Sequence, residues 1–531
     1  MISFFSGLLS GITLPTVIGS FKFPDLGVLA WFSLTPFYIE IKKEIKKASL
    51  RSALGRGFLF GFGFYGVSLY WIFIAMHTYG EIPLWSSFLG IFLAVFLMAL
   101  FPAVTAALAV LLSRRGLPLW IVFPLIWVVS DFARTVIPLG GFPWSSLAYT
   151  QKSFLPLLQI LDVTGIYGIT FLVIFSNALI GECFLSWKNK KENKTNLPLK
   201  PVFVFSLIFI SAFVYGQMRL RQVRQDLGRL KTLKVSMIQG NIPQEQKWLE
   251  EKVDEIIARH IFLSEEALKE RPDLIVWPEA AYPAAVSPEN KVLLNLAQFP
   301  VPLLMGVVTY DGVIPTIWPP SPEDIKNTGF HLYNSAILVR SGGLVTDRYD
   351  KQHLVPMGEY VPLKGVFGSL NQIVPSMSSF TPGHTFNVMD IGHSPATPLR
   401  FGVTICYEDL FPSISRIFTR NGADFLVNLT NDAWYEYSSA VFQHFDFSRF
   451  RAIENRRTMV RATNTGVTGF FSPTGEVIKE APIFKELILT AEIPLGGSTS
   501  FYTHHGDIFA WLCVVGFIFV IAKFYLRSPH A

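Results

Sequence analysis

The sequence predicts a multi-span α-helical membrane bundle of eight spans with one α/β domain set outside it. Three observations carry this. Eight apolar runs punctuate the chain, seven before residue 220 and one near the C-terminus. Between the seventh and eighth, short β-rich runs alternate with amphipathic helical patterns. Hydrophobic residues make up 50% and charged residues 16% of the 531 positions, too apolar for an ordinary soluble protein and too long for one small domain. Expected units are therefore 1–220 (seven spans), 221–500 (an outer α/β domain) and 501–531 (a last span with a short tail).

The runs cover residues 2–21, 26–41, 53–76, 84–112, 119–137, 165–187, 202–214 and 508–524. A helix needs about 20 residues to cross a hydrocarbon core of about 30 Å, so the second and seventh are marginal. Lys42, Lys43, Lys46, Lys47, Arg51 and Arg56 lie between the second and third runs, and Arg114 and Arg115 between the fourth and fifth. Five lysines from Lys188 to Lys200 separate the sixth from the seventh, and Lys523 and Arg527 fall at the end of the eighth. The alternate loops are poor in basic residues, so both termini are expected in the cytoplasm and residues 221–500 outside it. One outside loop is unusual: Arg134, Gly140-Gly141-Phe142-Pro143-Trp144 and Tyr149-Thr150-Gln151 suit docking to the outer domain or lining a site.

The net charge of +6 is spread over short loops, which speaks for topology and against a nucleic-acid partner. Three cysteines are too few for a disulfide framework or a zinc site, and the histidines form no ligand-spaced set, so no metal and no cofactor is expected.

In the outer domain, strands are expected at 233–239, 274–277, 303–308, 332–339, 399–405, 425–428, 459–462 and 469–472. Helices are expected at 246–269, 410–421 and 441–456. Residues 360–383, rich in Gly, Pro, Ser and Met without clear period, read as a mobile arm at the bilayer surface.

Chemistry gathers at three strand ends. Val403-Thr404-Ile405 leads into Cys406-Tyr407-Glu408-Asp409, where a strand hands over to a helix whose first N–H groups would favour a thiolate. Val276-Trp277-Pro278 ends in Glu279. Arg348-Tyr349-Asp350 leads to Lys351, followed by His353-Leu354-Val355-Pro356 and Glu359. Separately each is an ordinary loop residue or small buried hydrophobe. Together they supply a base, a cation for a developing oxyanion, and a nucleophile.

These motifs, in this order and on strand ends, resemble the nitrilase (carbon–nitrogen hydrolase) superfamily. The resemblance implies a nitrilase-like four-layer αββα sandwich and a Glu-Lys-Cys triad of Glu279, Lys351 and Cys406, assisted by Glu359. A narrower resemblance is to the apolipoprotein N-acyltransferase family, the membrane-embedded branch. It rests on Gln239-Gly240-Asn241-Ile242-Pro243 with Lys247-Trp248, on Leu354–Glu359, on Asn431-Asp432-Ala433-Trp434 and on Arg461–Gly466. Gly141-Phe142-Pro143-Trp144 and the eight runs fit as well. Met357 departs from the pattern, where an aromatic is expected, as does the approach to the last span at Tyr502–Asp507.

What this implies is transfer of an sn-1 acyl chain from a membrane phospholipid, through a thioester on Cys406, to the N-terminal amine of a diacylglyceryl-cysteine apolipoprotein. The setting would be a bacterial inner membrane, with the catalytic domain periplasmic and the protein a monomer. The Tyr407 N–H is expected to join Lys351 at the oxyanion, and Glu408 to support the site or simply to serve the following helix. Trp248 and Trp434 are expected to line the acyl or acceptor path, with Asn241 beside them in the substrate region. A membrane-anchored amidase using water as acceptor is the alternative, though hydrolysis needs no bundle of this size. A transporter or receptor is a more distant one, for which Asp131 and Glu182 would be the intramembrane acids.

Overall fold

The computed structural model describes residues 1–47, 49–190, 198–287, 291–312, 330–360, 380–392 and 398–526. Its first part is helical, its second is built on two sheets, and a final helix, Ile508–Leu526, returns to the helical part.

Three described helices are long and apolar enough to cross a membrane: Leu84–Arg114, Ile166–Lys188 and Leu199–Leu227. A fourth arises if Leu50–Ser68 and Trp71–Tyr79, bent by 53° to each other, count as one. Among the described residues, three or four helices thus have the length and composition of a full span. The first apolar run forms a helix only over Ile2–Gly11 and then a hairpin of β1 (Val17–Ile18) and β2 (Phe21–Lys22). Ten helical residues reach about 15 Å, half the hydrocarbon core. The second run breaks between Ala30–Ser33 and Thr35–Lys47, beside Pro36. Asn177 repairs that break from the helix Ile166–Lys190: its Oδ1 accepts from the Leu34 N–H at 2.8 Å and its Nδ2 donates to the Ala30 oxygen at 2.7 Å. The seventh run, marginal in the sequence, is instead a 29-residue helix, Leu199–Leu227.

Glycine lets the bundle close. A Cβ at Gly57 would stand 2.3 Å from the Pro102 oxygen, and one at Gly61 2.7 Å from the Ala99 Cα, so Leu50–Ser68 and Leu84–Arg114 meet through small residues one turn apart. The two acids weighed as intramembrane groups are both paired. Asp131 bonds Arg134 at 2.6 Å, and Glu182 meets Lys42 and Tyr38.

The second part places two sheets face to face. One runs β15–β3–β4–β6–β7–β8, with β5 paired to β6. Its strands are β3 (Thr232–Gln239), β4 (Leu274–Val276), β5 (Tyr282–Val286), β6 (Leu303–Asp311), β7 (His331–Arg340), β8 (Leu344–Asp350) and β15 (Leu487–Pro494). The other runs β14–β13–β12–β11–β10–β9, from β9 (Met389–Asp390), β10 (Arg400–Ile405), β11 (Phe425–Thr430), β12 (Thr458–Thr463), β13 (Gly469–Phe471) and β14 (Val477–Glu480). The helix Val253–Leu268 packs Ile257, Leu263 and Ala267 on the first sheet's Ile275 and Trp277. The helices Pro412–Arg420 and Ser439–Asn455 cover the second, giving helix, sheet, sheet, helix in order.

All eight expected strands are present within one to three residues at each end. The strands β5, β8, β9, β14 and β15 were not anticipated. Edge strand β8, Leu-Val-Thr-Asp-Arg-Tyr-Asp, is too polar to signal itself, and it is held by pairing with β7. Strand β15 pairs with β3 along its whole length, from Leu487–Gln239 to Pro494–Thr232. Of the proposed arm, only Tyr360 and residues 380–383 lie among the described residues.

The two parts are joined through Ser439–Asn455, which is almost wholly buried. Gln443 donates to the Pro15 oxygen and accepts from the Trp144 indole at 2.6 Å, and Lys152 bonds Asp446 at 2.9 Å. At the far end Arg456 reaches both Asp162 and Gln159.

Candidate active site

The parallel strands β10 and β11 run side by side, and β10 ends at Ile405. Cys406 follows with φ +50°, a left-handed conformation that a non-glycine residue adopts at a cost. That turn lifts the thiol off the strand axis. The expectation of a regular helix directly behind it is corrected: Cys406–Leu410 is a 3-10 turn, and the α-helix begins at Pro412. Burial pushes the Cys406 thiol well up from its ordinary range and Glu279 adds to this, while Lys351 pulls it back. The shift favours the protonated thiol, so attack by this sulfur would call for a base.

Glu279 stands at the turn after β4 and Lys351 directly after β8, both largely buried. Lys351 Nζ lies 2.9 Å from Glu359 Oε1 and 3.8 Å from Glu279 Oε1. Burial alone would lower the Lys351 ammonium's pKa, but Glu359 and then Glu279 more than offset that and hold it above the ordinary lysine value. The field of Cys406 acts on the same ammonium. Four of the sequence-derived residues, Glu279, Lys351, Glu359 and Cys406, are therefore brought together.

A fifth member was missed. Asn334 on β7 donates through Nδ2 to Glu279 Oε1 and to Glu359 Oε1, each at 2.8 Å. Its main-chain oxygen also accepts from the Lys351 N–H at 2.8 Å. One amide thus spaces the two carboxylates on either side of the ammonium. The available signal was an Asn, beside Ser335, inside the mostly apolar run Leu332–Val339.

Beneath the Cys406 turn lies a second buried group. His444 bridges Asp432 Oδ1 (2.8 Å) and the Cys406 main-chain oxygen (3.2 Å), and Arg461 bonds both Asp432 and Asn428. These residues touch the backbone of Cys406 rather than its sulfur, so they hold the turn.

Glu408 proves to be a latch. Its carboxylate accepts from the Tyr349 hydroxyl and from the N–H groups of Gln352, His353 and Ile405, at 2.8 to 3.1 Å. It ties the Lys351 loop to the Cys406 turn. The Tyr407 side chain points the other way, its hydroxyl donating to the Gly141 oxygen at 2.9 Å. The unusual loop between helices of the first part therefore docks on the Cys406 turn.

The expected substrate residues do not cluster with the triad in the same way. Trp248 is 46% exposed, beyond the buried Lys247. Trp434, in a 3-10 turn, sets its ring edge-on to Tyr79 of the helical part. Asn241 has φ +50° and gives its N–H to the Asn464 oxygen at 3.0 Å. The helix expected from residue 246 starts only at Val253, because the stretch before it is strapped to the second sheet. Asn464 takes both the N–H and the oxygen of Ile242, and Asn431 bonds Gln244.

Two facing sheets with Cys, Glu and Lys at their strand ends define a class, and residues 234–502 match the family model described as carbon-nitrogen hydrolase. Residues 13–179 match a second, described as the N-terminal domain of apolipoprotein N-acyltransferase. Among relatives, the apolipoprotein N-acyltransferase of Geobacter metallireducens is 36% identical, covering 98% of this chain and 95% of its own. That of Chlorobaculum tepidum is 30% identical over 96% of this chain and 93% of its own. The chain belongs to the apolipoprotein N-acyltransferase family. Among solved structures, yeast Nit3 of the nitrilase superfamily aligns with TM-score 0.34 at 20% identity, over 50% of this chain and 90% of that one.

Proposed function

We propose that this protein is an enzyme of lipoprotein N-acylation that moves an sn-1 acyl chain from a membrane phospholipid to the N-terminal amine of a diacylglyceryl-cysteine apolipoprotein. The reading is carried by one observation: a buried thiol on a left-handed turn beside the Glu279–Lys351–Glu359 cluster, in a domain joined to apolar helices.

Glu279 takes the Sγ proton as sulfur attacks the ester carbonyl. Lys351, with the Tyr407 N–H, holds the tetrahedral oxyanion; one such donor is worth about 2.7–4 kcal/mol of barrier. The ester C–O bond then breaks, the leaving lysophospholipid oxygen takes the proton from Glu279, and a thioester remains on Cys406. The acceptor's neutral amine attacks that thioester, the C–S bond breaks, and the amine's proton passes through Glu279 back to sulfur. Glu359 and Asn334 hold Lys351 and Glu279 in register throughout. Trp248, Trp434 and Asn241 border the path of the chain or the acceptor.

The apolar segments sit in a bacterial inner membrane, all eight counted as the membrane part and the shorter ones entering it partway. The catalytic domain is periplasmic and the protein acts as a monomer. A palmitoyl-sized chain of about 16 carbons would cost about 0.8 kcal/mol for each CH₂ lifted into water, so a site fed from the bilayer surface suits a lipid donor. Water as acceptor is the weaker reading, since the match to an acyltransferase N-terminal domain covers residues 13–179.

The test is to incubate the purified full chain with labelled phospholipid and seek the acyl group on Cys406 by mass spectrometry. A small charged thiol reagent on intact spheroplasts should label Cys406 and spare Cys183. Labelling of Cys406 only after the membrane is broken would invert the topology and remove the lipoprotein reading with it.

A further inference from the structure

The loop between β3 and the helix Val253–Leu268 delivers a buried cation to the site. Asn464 straps its backbone down at Ile242 and Asn431 holds the Gln244 side chain, and between them the loop turns Lys247 inward, 2% exposed, while its neighbour Trp248 stays outside. The Lys247 ammonium donates to the main-chain oxygen of Glu279 at 2.8 Å. Among the described residues it forms no ion pair, although three N–H donors and a full charge have left water. A group that only had to brace a turn would not need that charge. The turn it braces is strained, since Ala280, directly after Glu279, has φ +46°.

The charge count explains why a cation belongs there. Glu279 and Glu359 are two carboxylates facing one ammonium, Lys351. As Glu279 takes the thiol proton, its negative charge passes by way of sulfur to the attacked carbonyl oxygen, so the site carries one negative charge in excess from the resting state to the oxyanion. We propose that Lys247 is a positioning residue for acyl transfer: it clamps the main chain at Glu279 and supplies the positive charge that balances the second carboxylate while the transition state forms. This rests on the acyl-enzyme reading above and assigns Lys247 no contact with substrate.

Burial lowers the Lys247 pKa to about 8, while Glu279 and Cys406 oppose that shift. The other titratable group facing it is His260, on the helix Val253–Leu268, and burial holds that ring neutral with a pKa of about 4. The Lys247 charge is therefore present below about pH 8 and lost above it.

The experiment is single-turnover acylation of Cys406 by labelled phospholipid, using the full chain in lipid nanodiscs, followed by mass spectrometry from about pH 6 to about pH 10. Wild-type acylation should slow as pH rises through about 8. Lys247→Gln keeps a donor for the Glu279 oxygen but no charge. It should acylate roughly 10- to 100-fold more slowly at neutral pH, less than the loss for a donor on the oxyanion itself, and should show no inflection near pH 8. Wild-type speed in Lys247→Gln, or an inflection that survives in it, overturns the proposal. Should that variant fail to fold, a flat wild-type profile across this range overturns it without any substitution. Absence of acyl-Cys406 from wild type would instead remove the acyl-enzyme reading, and this proposal with it.

Discussion

The phenol of Tyr407, one residue past Cys406, donates to the main-chain oxygen of Gly141 at 2.9 Å, although the two stand 266 positions apart. Its ring also stacks on Phe142, with centroids 6.3 Å apart. The turn that presents the thiol is thus referenced to a loop of the helical part as well as to its own sheet. Tyr407→Phe keeps the ring and removes one hydrogen bond, a loss of about 1 kcal/mol. Acyl-enzyme formation should fall a few-fold and persist. Tyr407→Ala, which also empties the stack, should lose far more. Equal activity in both variants, measured by acylation rate, would count against coupling between loop and turn.

For the reacting groups the expected losses are larger. Cys406→Ala should form no acyl-enzyme while keeping the fold, and Cys406→Ser should be nearly inactive because a carboxylate base is poorly matched to an alcohol. Glu279→Gln and Lys351→Ala should each block thioester formation, Lys351→Ala by roughly 100-fold or more in rate. More than a trace of acyl transfer by Cys406→Ala would show that the nucleophile is misassigned.

Asn334 separates two carboxylates that would otherwise repel each other across Lys351. Asn334→Ala should slow acylation, with circular dichroism unchanged. Asn334→Asp should be worse, because it adds a third carboxylate to the same cluster. If the Asp variant is the more active of the two, spacing by the amide is not what the site requires.

Acid should loosen the two-sheet part through two histidines. Burial lowers the pKa of His260 and of His353 to about 4. A histidine with a depressed folded pKa favours the neutral form, so its contribution is fully present above about pH 6.5 and is lost as pH falls through about 4. For His260, packed against Trp277, this amounts to about 3 kcal/mol. Thermal unfolding should move down between pH 7 and pH 5, and His260→Phe should flatten that dependence. An unchanged slope in His260→Phe would assign the acid sensitivity elsewhere.

Much of this protein is written locally. A β-branched run ending in Cys406, an apolar strand ending in Glu279 and Lys351 before His353-Leu354-Val355-Pro356 are short patterns, and strand ends are where a sheet delivers side chains to a common edge. The eight strands legible from alternation and β-branching are those with apolar faces buried between the sheets. Membrane character was equally plain, because apolar runs and basic loops are properties of composition.

Only the tertiary structure decided the rest, and the reason is the same in each case. Where the apolar runs stop being helices depends on a partner, as at Leu34, where Asn177 takes over the freed backbone groups from another helix. Edge strand β8 is too polar to announce itself and exists because β7 offers it hydrogen bonds. The local pattern around Asn334 and Lys247 does not say what they meet: for one it is two carboxylates, at Glu279 and Glu359, for the other the main-chain oxygen of Glu279. Glu408, open in the sequence between supporting the site and serving its own helix, bonds its own turn at Ile405 and also holds Tyr349, Gln352 and His353 from another strand and its loop. Sequence period encodes which face of an element is buried, but charge, hydrogen-bond partner and strain belong to what lies across the gap.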